Sequence, residues 1–389
     1  MILTIVALLI WVYLYALHGR FWESRPELVP APPVAALAVS ALAASALAAS
    51  GPPVDILIPA RDEAGSIGAV ITSLLAQDYP GPFRVLLVDD GSTDGTAVIA
   101  REAARGDPRF VLIEGRAKPS GWSGKLWALG QGIDAGEAPV VLLTDADIAH
   151  DPNHLSTLMA RLETPLRGAR LDMVSEMVRL NCESAAERAL IPAFVYFFQM
   201  LYPFARVNDP LSATAAAAGG VVLIRREALE RIGGLAAIRG ALIDDVTLAR
   251  RVKQGGAIFL GHSVLARSIR PYPDYRDIRA MIARTAFTQL RYSYALLALT
   301  IAGLALVWLV PPIAVIFGGG AERLFGLMAY AIAVLTFQPT LRRYHLAWYW
   351  GLALPLIALA YMEATIASAW RHATGSGASW KNRDYGAGA

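Results

Sequence analysis

The sequence predicts an α/β fold, a mixed sheet with helices on both faces, joined to N-terminal and C-terminal transmembrane helices. Three observations carry this reading. Short apolar runs alternate with stretches of helical spacing between residues 54 and 270. Acidic clusters follow directly on two of those runs. Long uncharged segments lie toward both ends of the chain.

Composition points to a membrane. Of 389 residues, 55% are hydrophobic and 17% charged, against about 25% charged in an ordinary soluble domain. Met1 to Gly19 hold no Asp, Glu, Lys or Arg, a length that can span a bilayer. A cleaved signal peptide would start basic, whereas Arg20 follows the apolar run, so this segment reads as an anchor. Tyr294 to Phe317, Leu324 to Thr340 and Leu346 to Met362 are further uncharged runs. The expected organisation is an anchor over 1–19, a linker over 20–53 and a central domain over 54–270. An Arg-rich interfacial helix over 271–293, transmembrane segments over 294–370 and a tail over 371–389 complete it.

Arg20 and Arg25 put the central domain on the cytoplasmic side of the inner (plasma) membrane by the positive-inside rule, in a multi-pass arrangement. The lone Cys182 excludes an internal disulfide framework and fits a reducing compartment. The second segment then runs outward and the third returns, leaving Arg342 and Arg343 cytoplasmic. A fourth span would put Arg371, Lys381 and Arg383 outside, against the same rule. Either the tail is external or one C-terminal segment does not cross. The net charge is +3, and no basic run with interleaved aromatics argues for nucleic acid. The uncharged runs lack the polar residues of a translocation site, which argues against a transporter.

The elements read in order. Pro30 to Pro53 is a linker rich in Ala, Pro and Ser. Val54 to Ile58 is a short buried strand ended by Pro59. Ser66 to Gln77 has helical spacing, with Ile67, Val70, Ile71, Leu74 and Leu75 on one face. Phe83 to Val88 is a strand, Thr96 to Arg105 a helix, and Phe110 to Ile113 and Pro139 to Leu143 two more strands. This alternation predicts a mostly parallel sheet wound on both faces. Leu190 to Phe204 is uncharged and aromatic. A span there would separate Asp147 from Asp245 across the membrane. It therefore reads as an interfacial or buried helix that helps a lipid acceptor reach the cleft, or as a plain core helix.

The chemistry rests on acids just past strand ends, where open α/β sheets bind ligands. Asp89 and Asp90, in Val88-Asp89-Asp90-Gly91-Ser92-Thr93-Asp94-Gly95, can accept hydrogen bonds from a base and ribose hydroxyls. Gly91 would let the backbone approach a ligand, although the same residue types favour a plain turn. In Asp145-Ala146-Asp147, alternate carboxylates can face one Mg²⁺ or Mn²⁺ that also takes phosphate oxygens. A solvated acidic loop is the plain alternative. Asp244 and Asp245 open a helix, so one can cap while the other faces the cleft. Lys125 can act as a point charge for a phosphate or sugar. Its spacing is not a Walker motif, no ligand set has zinc spacing, and no nucleophile elbow is present.

These residues, in this order, resemble the motifs of family 2 glycosyltransferases. The resemblance runs through Val54–Glu63, Val88–Thr96, Asp145–Asp147, Gly219-Gly220 with Arg225–Ala228 and Gly233-Gly234, and Asp244-Asp245, over about Val54 to Arg291. Several stretches look like the hopanoid-biosynthesis-associated branch. They include Gly121–Trp127, Leu142–His150, Ile191–Phe204, Ile238–Asp245 and Ala283–Ser293.

The resemblance implies a GT-A (Rossmann-like) fold, a nucleotide-diphospho-sugar donor, a divalent metal (Mg²⁺ or Mn²⁺), and transfer with inversion to a lipid acceptor, a hopanoid or related isoprenoid. Asp89 and Asp90 would serve the nucleotide, with Pro59, Arg61 and Glu63 on the base side. Asp147 would hold the metal, with Asp145 at the ribose or metal. Gly219, Gly220 and Lys125 would join the substrate-binding set. Asp245 would be the base, beside Asp244, where the family often has Glu. Arg284 and Arg291 are candidate diphosphate clamps, or line an interfacial helix with Arg270, Arg276 and Arg279 beside anionic lipid. Polyisoprenyl phosphate is the rival acceptor. Membrane polysaccharide synthases carry Gln-x-x-Arg-Trp, whereas this chain has Gln289-Leu290-Arg291-Tyr292, which argues against a processive polymerase. A nucleotide-sugar-binding membrane scaffold is the non-enzymatic alternative.

Overall fold

A computed structural model gives the fold, and it describes residues 1–28, 30, 51–374, 379–380 and 383–384. Most of the expected linker and part of the tail fall outside the described residues. The chain divides into two compact units. One comprises residues 26–180, 207–270 and 379–389. The other comprises residues 1–25, 181–206 and 271–378.

The first unit is built on eight strands. They are β1 (Val54–Ala60), β2 (Phe83–Asp89), β3 (Phe110–Glu114), β4 (Val140–Thr144), β5 (Ile148–His150), β6 (Leu171–Arg179), β7 (Val221–Arg225) and β8 (Ala257–Ser268). Their order across the sheet is β3-β2-β1-β4-β7-β6-β8-β5. The half from β3 to β4 is parallel, as the alternation predicted. The other half is not, because β7 runs antiparallel to β4 and β6, and β5 antiparallel to β8. The sheet is therefore mixed, as the predicted fold class has it, although the strand-helix alternation alone pointed to a mostly parallel one.

Local chemistry explains the elements. β1 and β4 are buried along their whole length, so each is a continuous apolar run rather than an alternating one. Gly91 and Gly95 take positive φ in the loop after β2, where L side chains are strained. Ser123 caps the Gly124–Ala135 helix by accepting the Leu126 N–H at 3.2 Å, one of the orphan donors of a helix start. The Ile67–Leu75 helix buries Ile67, Val70, Ile71 and Leu74. These pack into the same core cluster as Ile56, Ile58, Val85 and Leu87.

The topology sets the site. The carboxyl ends of β1, β2 and β4 lie side by side, with Ala60 opposite Asp89 and Leu57 opposite Leu143. Because β7 is antiparallel to β4, Thr144 pairs with Val221 and brings Gly219-Gly220 to that same edge. Ile148 pairs with Ser268, so the end of β8 arrives there too.

The second unit is helical. Tyr294–Phe317, Gly320–Arg343 and Trp348–Ala373 are long and apolar enough to cross a membrane by length and composition. The Ile2–Ala16 helix has 15 residues, fewer than the roughly 20 that a bilayer core asks for. The Ala185–Leu201 helix belongs to this unit. It starts at a capping box between Ser184 and Glu187, in which two orphan donors are satisfied reciprocally. Its Tyr196 is fully buried, bonds Thr336 Oγ1 at 2.7 Å and sits 5.0 Å from the Phe337 ring. Leu190–Phe204 is largely buried within this unit, which both sequence readings of it allow. The expected central domain had counted this segment as its own.

Candidate active site

Two ion-pair clusters stand at the carboxyl edge of the sheet. In the first, Lys125 Nζ lies 2.7 Å from Asp145 Oδ1 and 3.8 Å from Asp244 Oδ2. Asp245 stands beside them, and Lys125, Asp145, Gly219, Asp244 and Asp245 line one pocket. In the second, Arg270 donates through Nε to Asp147 Oδ2 at 2.5 Å. Its Nη2 reaches both Glu63 oxygens at 2.8 Å.

The two aspartates of Asp145-Ala146-Asp147 thus face different cations. The sequence reading had both facing one. The cause is local, since the backbone leaves the extended conformation at Asp145 and turns at Ala146 and Asp147, so alternate residues no longer point the same way.

Asp244 and Asp245 occupy the first turn of the Asp244–Lys253 helix, whose N-cap is Ile243 without a side-chain cap. Neither acid takes the N-cap position offered as one alternative. Asp245 Oδ2 accepts the Gly219 N–H at 2.9 Å and Oδ1 the Val246 N–H at 2.7 Å. These bonds fix the carboxylate and leave other lone pairs available.

Burial and charge set the protonation of these groups. Burial pulls the Lys125 ammonium down, but Asp145 and Asp244 outweigh it and hold it above the ordinary lysine range. Burial and then the Asp145 charge push Asp147 up, against the lowering by Arg270. Asp245 keeps some accessible surface, yet lost hydration and then Asp244 push it up to about 7, against Lys125 and the two N–H groups.

The loops after β1 and β2 are laced together. Thr93 N–H donates to Asp62 Oδ1 at 2.9 Å, Glu63 N–H to Thr96 Oγ1 at 2.8 Å and Ala64 N–H to Asp94 Oδ2 at 2.9 Å. Asp89 accepts the Ser92 N–H at 3.0 Å, so it serves the turn. Asp90 is buried beside Arg61, which bonds its carbonyl. Pro59 is buried within β1, opposite Val88. Arg284 and Arg291 lie in the helical unit, both exposed, and are not among the groups brought together at this edge.

Sequence reasoning considered Arg270 only as part of an interfacial row, whereas the structure pairs it with Glu63 and Asp147. It stands two residues beyond β8. The rule that singled out Asp89 and Asp145, a polar residue just past a strand end, finds it once β8 is recognised.

Residues 55–233 match the family described as Glycosyl transferase family 2. An N-acetylglucosaminyltransferase of Rhizobium meliloti is 32% identical over 120 residues, 30% of this chain and 27% of that protein. A beta-monoglucosyldiacylglycerol synthase of Synechocystis sp. is 27% identical over 187 residues, 47% of this chain and 37% of that protein. The chain thus spans only 27% to 37% of the length of these relatives. Among solved structures, the mannosyltransferase PcManGT from Pyrobaculum calidifontis, in complex with GDP-Man and Mn²⁺, superposes with a TM-score of 0.54 at 20% identity. The match covers 95% of both chains. That likeness is one of fold, and it is the GT-A fold that the ordered motifs implied. Residues 55–233 are therefore a family 2 glycosyltransferase domain of GT-A type.

Proposed function

We propose that the protein transfers a sugar, with inversion, from a nucleotide-diphospho-sugar to a lipid acceptor, a hopanoid or related isoprenoid. The observation that carries this reading is the meeting of Lys125, Asp145, Asp244 and Asp245 in one pocket at the carboxyl edge of the sheet. Three helices of membrane-spanning length and composition support a lipid acceptor. So does the relative whose name is that of a glucosyldiacylglycerol synthase.

The proposed roles rest on the family resemblance, with the geometry as support. Asp245, held by the Gly219 and Val246 N–H groups, takes the proton of the acceptor hydroxyl. Lys125 stabilises charge that develops on the leaving diphosphate. Asp89, Asp90 and Arg61 border the nucleotide, with Pro59, Glu63 and Gly220 around it. Asp147 is the proposed ligand of a hard divalent cation, Mg²⁺ or Mn²⁺, with Asp145 at the ribose or turned to the same ion. Both offer the carboxylate oxygens that such an ion takes. Among the described residues no cluster of three His, Cys, Asp or Glu side chains could hold the ion. The protein would supply one or two carboxylates and the donor its phosphate oxygens. When bound, the ion would neutralise charge on the departing diphosphate.

The test is transfer by the purified full chain in lipid nanodiscs, with labelled nucleotide-sugars and separate hopanoid, diacylglycerol and polyisoprenyl phosphate acceptors. Label should move to the hopanoid fraction in the presence of Mg²⁺ or Mn²⁺. Transfer to polyisoprenyl phosphate alone would establish the rival acceptor. Binding of nucleotide-sugar without transfer or hydrolysis would leave the scaffold reading.

A further inference from the structure

Behind the Asp145-Ala146-Asp147 turn lies a buried row of four polar side chains. Thr144 ends β4, His150 ends β5, His154 opens the His154–Glu163 helix and Glu176 stands within β6. Their exposures are 1%, 4%, 0% and 0%. Thr144 Oγ1 lies 3.0 Å from His150 Nε2, His150 Nδ1 2.7 Å from His154 Nδ1, and His154 Nε2 2.7 Å from Glu176 Oε2. The Thr144 hydroxyl also bonds the Gly220 carbonyl at 3.0 Å.

Proton counting fixes the direction of each bond. A carbonyl only accepts, so the single hydroxyl proton of Thr144 goes to Gly220. Thr144 Oγ1 must then accept, and His150 donates through Nε2–H. Burial, with His154 beside it, holds His150 well below the ordinary range, so it is neutral and its Nδ1 bears no proton. His154 therefore donates through Nδ1–H. The 2.7 Å contact between His154 Nε2 and Glu176 Oε2 then requires one further proton, held by that pair. It is either an imidazolium against a carboxylate or an imidazole against a carboxylic acid.

Such a row is an expensive way to fill a core. Glu176 Oε1 is buried with no hydrogen-bond partner among the described residues, which costs about 1–3 kcal/mol. An apolar set of the same volume would often be as stable or more so. What the row reaches gives it a use. Gly220 O, which takes the Thr144 hydroxyl, also takes the Asp145 N–H at 3.3 Å, and the neighbouring Gly219 N–H holds Asp245.

We propose that the proton held between His154 and Glu176 is a positioning device. It locks the tautomers of both histidines, and through the Thr144 hydroxyl it pins the Gly220 carbonyl. That pin sets the Asp145-Ala146-Asp147 turn and the Gly219 N–H that aims Asp245. The inference rests on the proposed roles of Asp145, Asp147 and Asp245. His150, His154 and Glu176 touch no substrate and act only through Thr144.

The full chain in detergent micelles tests this in two independent ways. Imidazole ¹⁵N spectra should show His150 protonated at Nε2 only. Glu176→Gln can donate an N–H to an unprotonated His154 Nε2, which keeps the direction of the row. It should retain the wild-type kcat and the His150 signature. Glu176→Leu and Thr144→Val each break the row and should lower kcat by about 10–100-fold, the usual effect of removing a supporting partner. Their Gly219 and Gly220 amide signals should shift as well. Thr144→Val leaves the buried pair in place, so it serves if Glu176→Leu fails to fold. Wild-type kcat in Thr144→Val, a Glu176→Gln as impaired as Glu176→Leu, or His150 protonated at Nδ1 would each overturn the proposal. A fully active Asp245→Asn would sink the base assignment instead and leave the ¹⁵N result untouched.

Discussion

The Lys125 ammonium rests 2.7 Å from the Asp145 carboxylate, at the start of one helix and the end of β4. The same ammonium is 3.8 Å from Asp244, so one cation ties the strand-end acids to the acid pair. Asp147 has its own partner in Arg270. Asp147→Asn keeps the shape and removes the charge. It should weaken metal-assisted donor binding and abolish transfer while the fold survives. Donor affinity titrated with Mn²⁺ checks this. Full activity of the variant in EDTA-treated membranes would reject a metal role for Asp147.

Arg270 joins Glu63 to Asp147 across two strand ends. Arg270→Met leaves two carboxylates side by side, each short of hydrogen bonds. Hydrogen bonds to charged groups contribute about 1.5–3 kcal/mol, and Arg270 is 33% exposed, so a loss of about 1–2 kcal/mol is expected after solvent screening. Thermal unfolding should show it. Asp147 should become harder to ionise, because the cation that lowers it is gone. Unchanged stability would mean the pair is only a surface contact.

These relationships were unequally legible in the sequence. β1, β2 and β4 were readable because burial on both faces makes them near-continuous apolar runs. β6 was not, because it carries Asp172, Ser175 and Glu176 among its apolar residues. Those polar groups are buried against Arg231, the Ala218 and Val221 carbonyls, and His154. Such pairing across the chain is invisible to local spacing. Without β6, β7 and β8 the strand pairing in the antiparallel half could not be read, nor the place of Arg270. The acids after β2 and β4 were visible, but their partners were not, because partner choice is set by tertiary position. The left-handed Asp62 (φ 50°) also left no mark in the sequence.

In the helical unit, Tyr196 is buried among Phe21, Phe197, Trp308 and Phe337 and donates to Thr336 Oγ1, which itself donates to the Ile332 carbonyl. Tyr196→Phe removes one hydrogen bond and should cost about 1 kcal/mol. Tyr196→Ala removes a buried ring and should cost about 3–5 kcal/mol. Thermal unfolding in detergent should rank the two that way. Equal effects would mean that the ring contributes little.

The proposed cytoplasmic placement rests on Arg20, Arg25 and the single cysteine. Protease added to right-side-out vesicles should leave residues 54–270 intact until the vesicles are lysed. Rapid cleavage in that region without lysis would reverse the topology.

Asp245 should show itself in the pH profile. Its carboxyl is pushed up to about 7 by burial and then by Asp244. A general base works only when ionised, so kcat/KM should rise as pH passes through that range and level off above it. Asp244→Asn removes a like charge, which lowers the Asp245 carboxyl and should shift the rising limb to lower pH. Lys125→Met removes the cation that lowers Asp245, which raises it and should shift the limb to higher pH. Asp245→Asn should lose about 10²–10⁴-fold in rate and abolish the limb, while nucleotide-sugar still binds. Rate profiles and donor affinities for the three variants settle the assignment together. If Asp245→Asn turns over normally while Asp244→Asn is dead, the two acids exchange roles. If Asp245→Asn also loses donor binding, Asp245 is a donor ligand, and the proton must leave by another group.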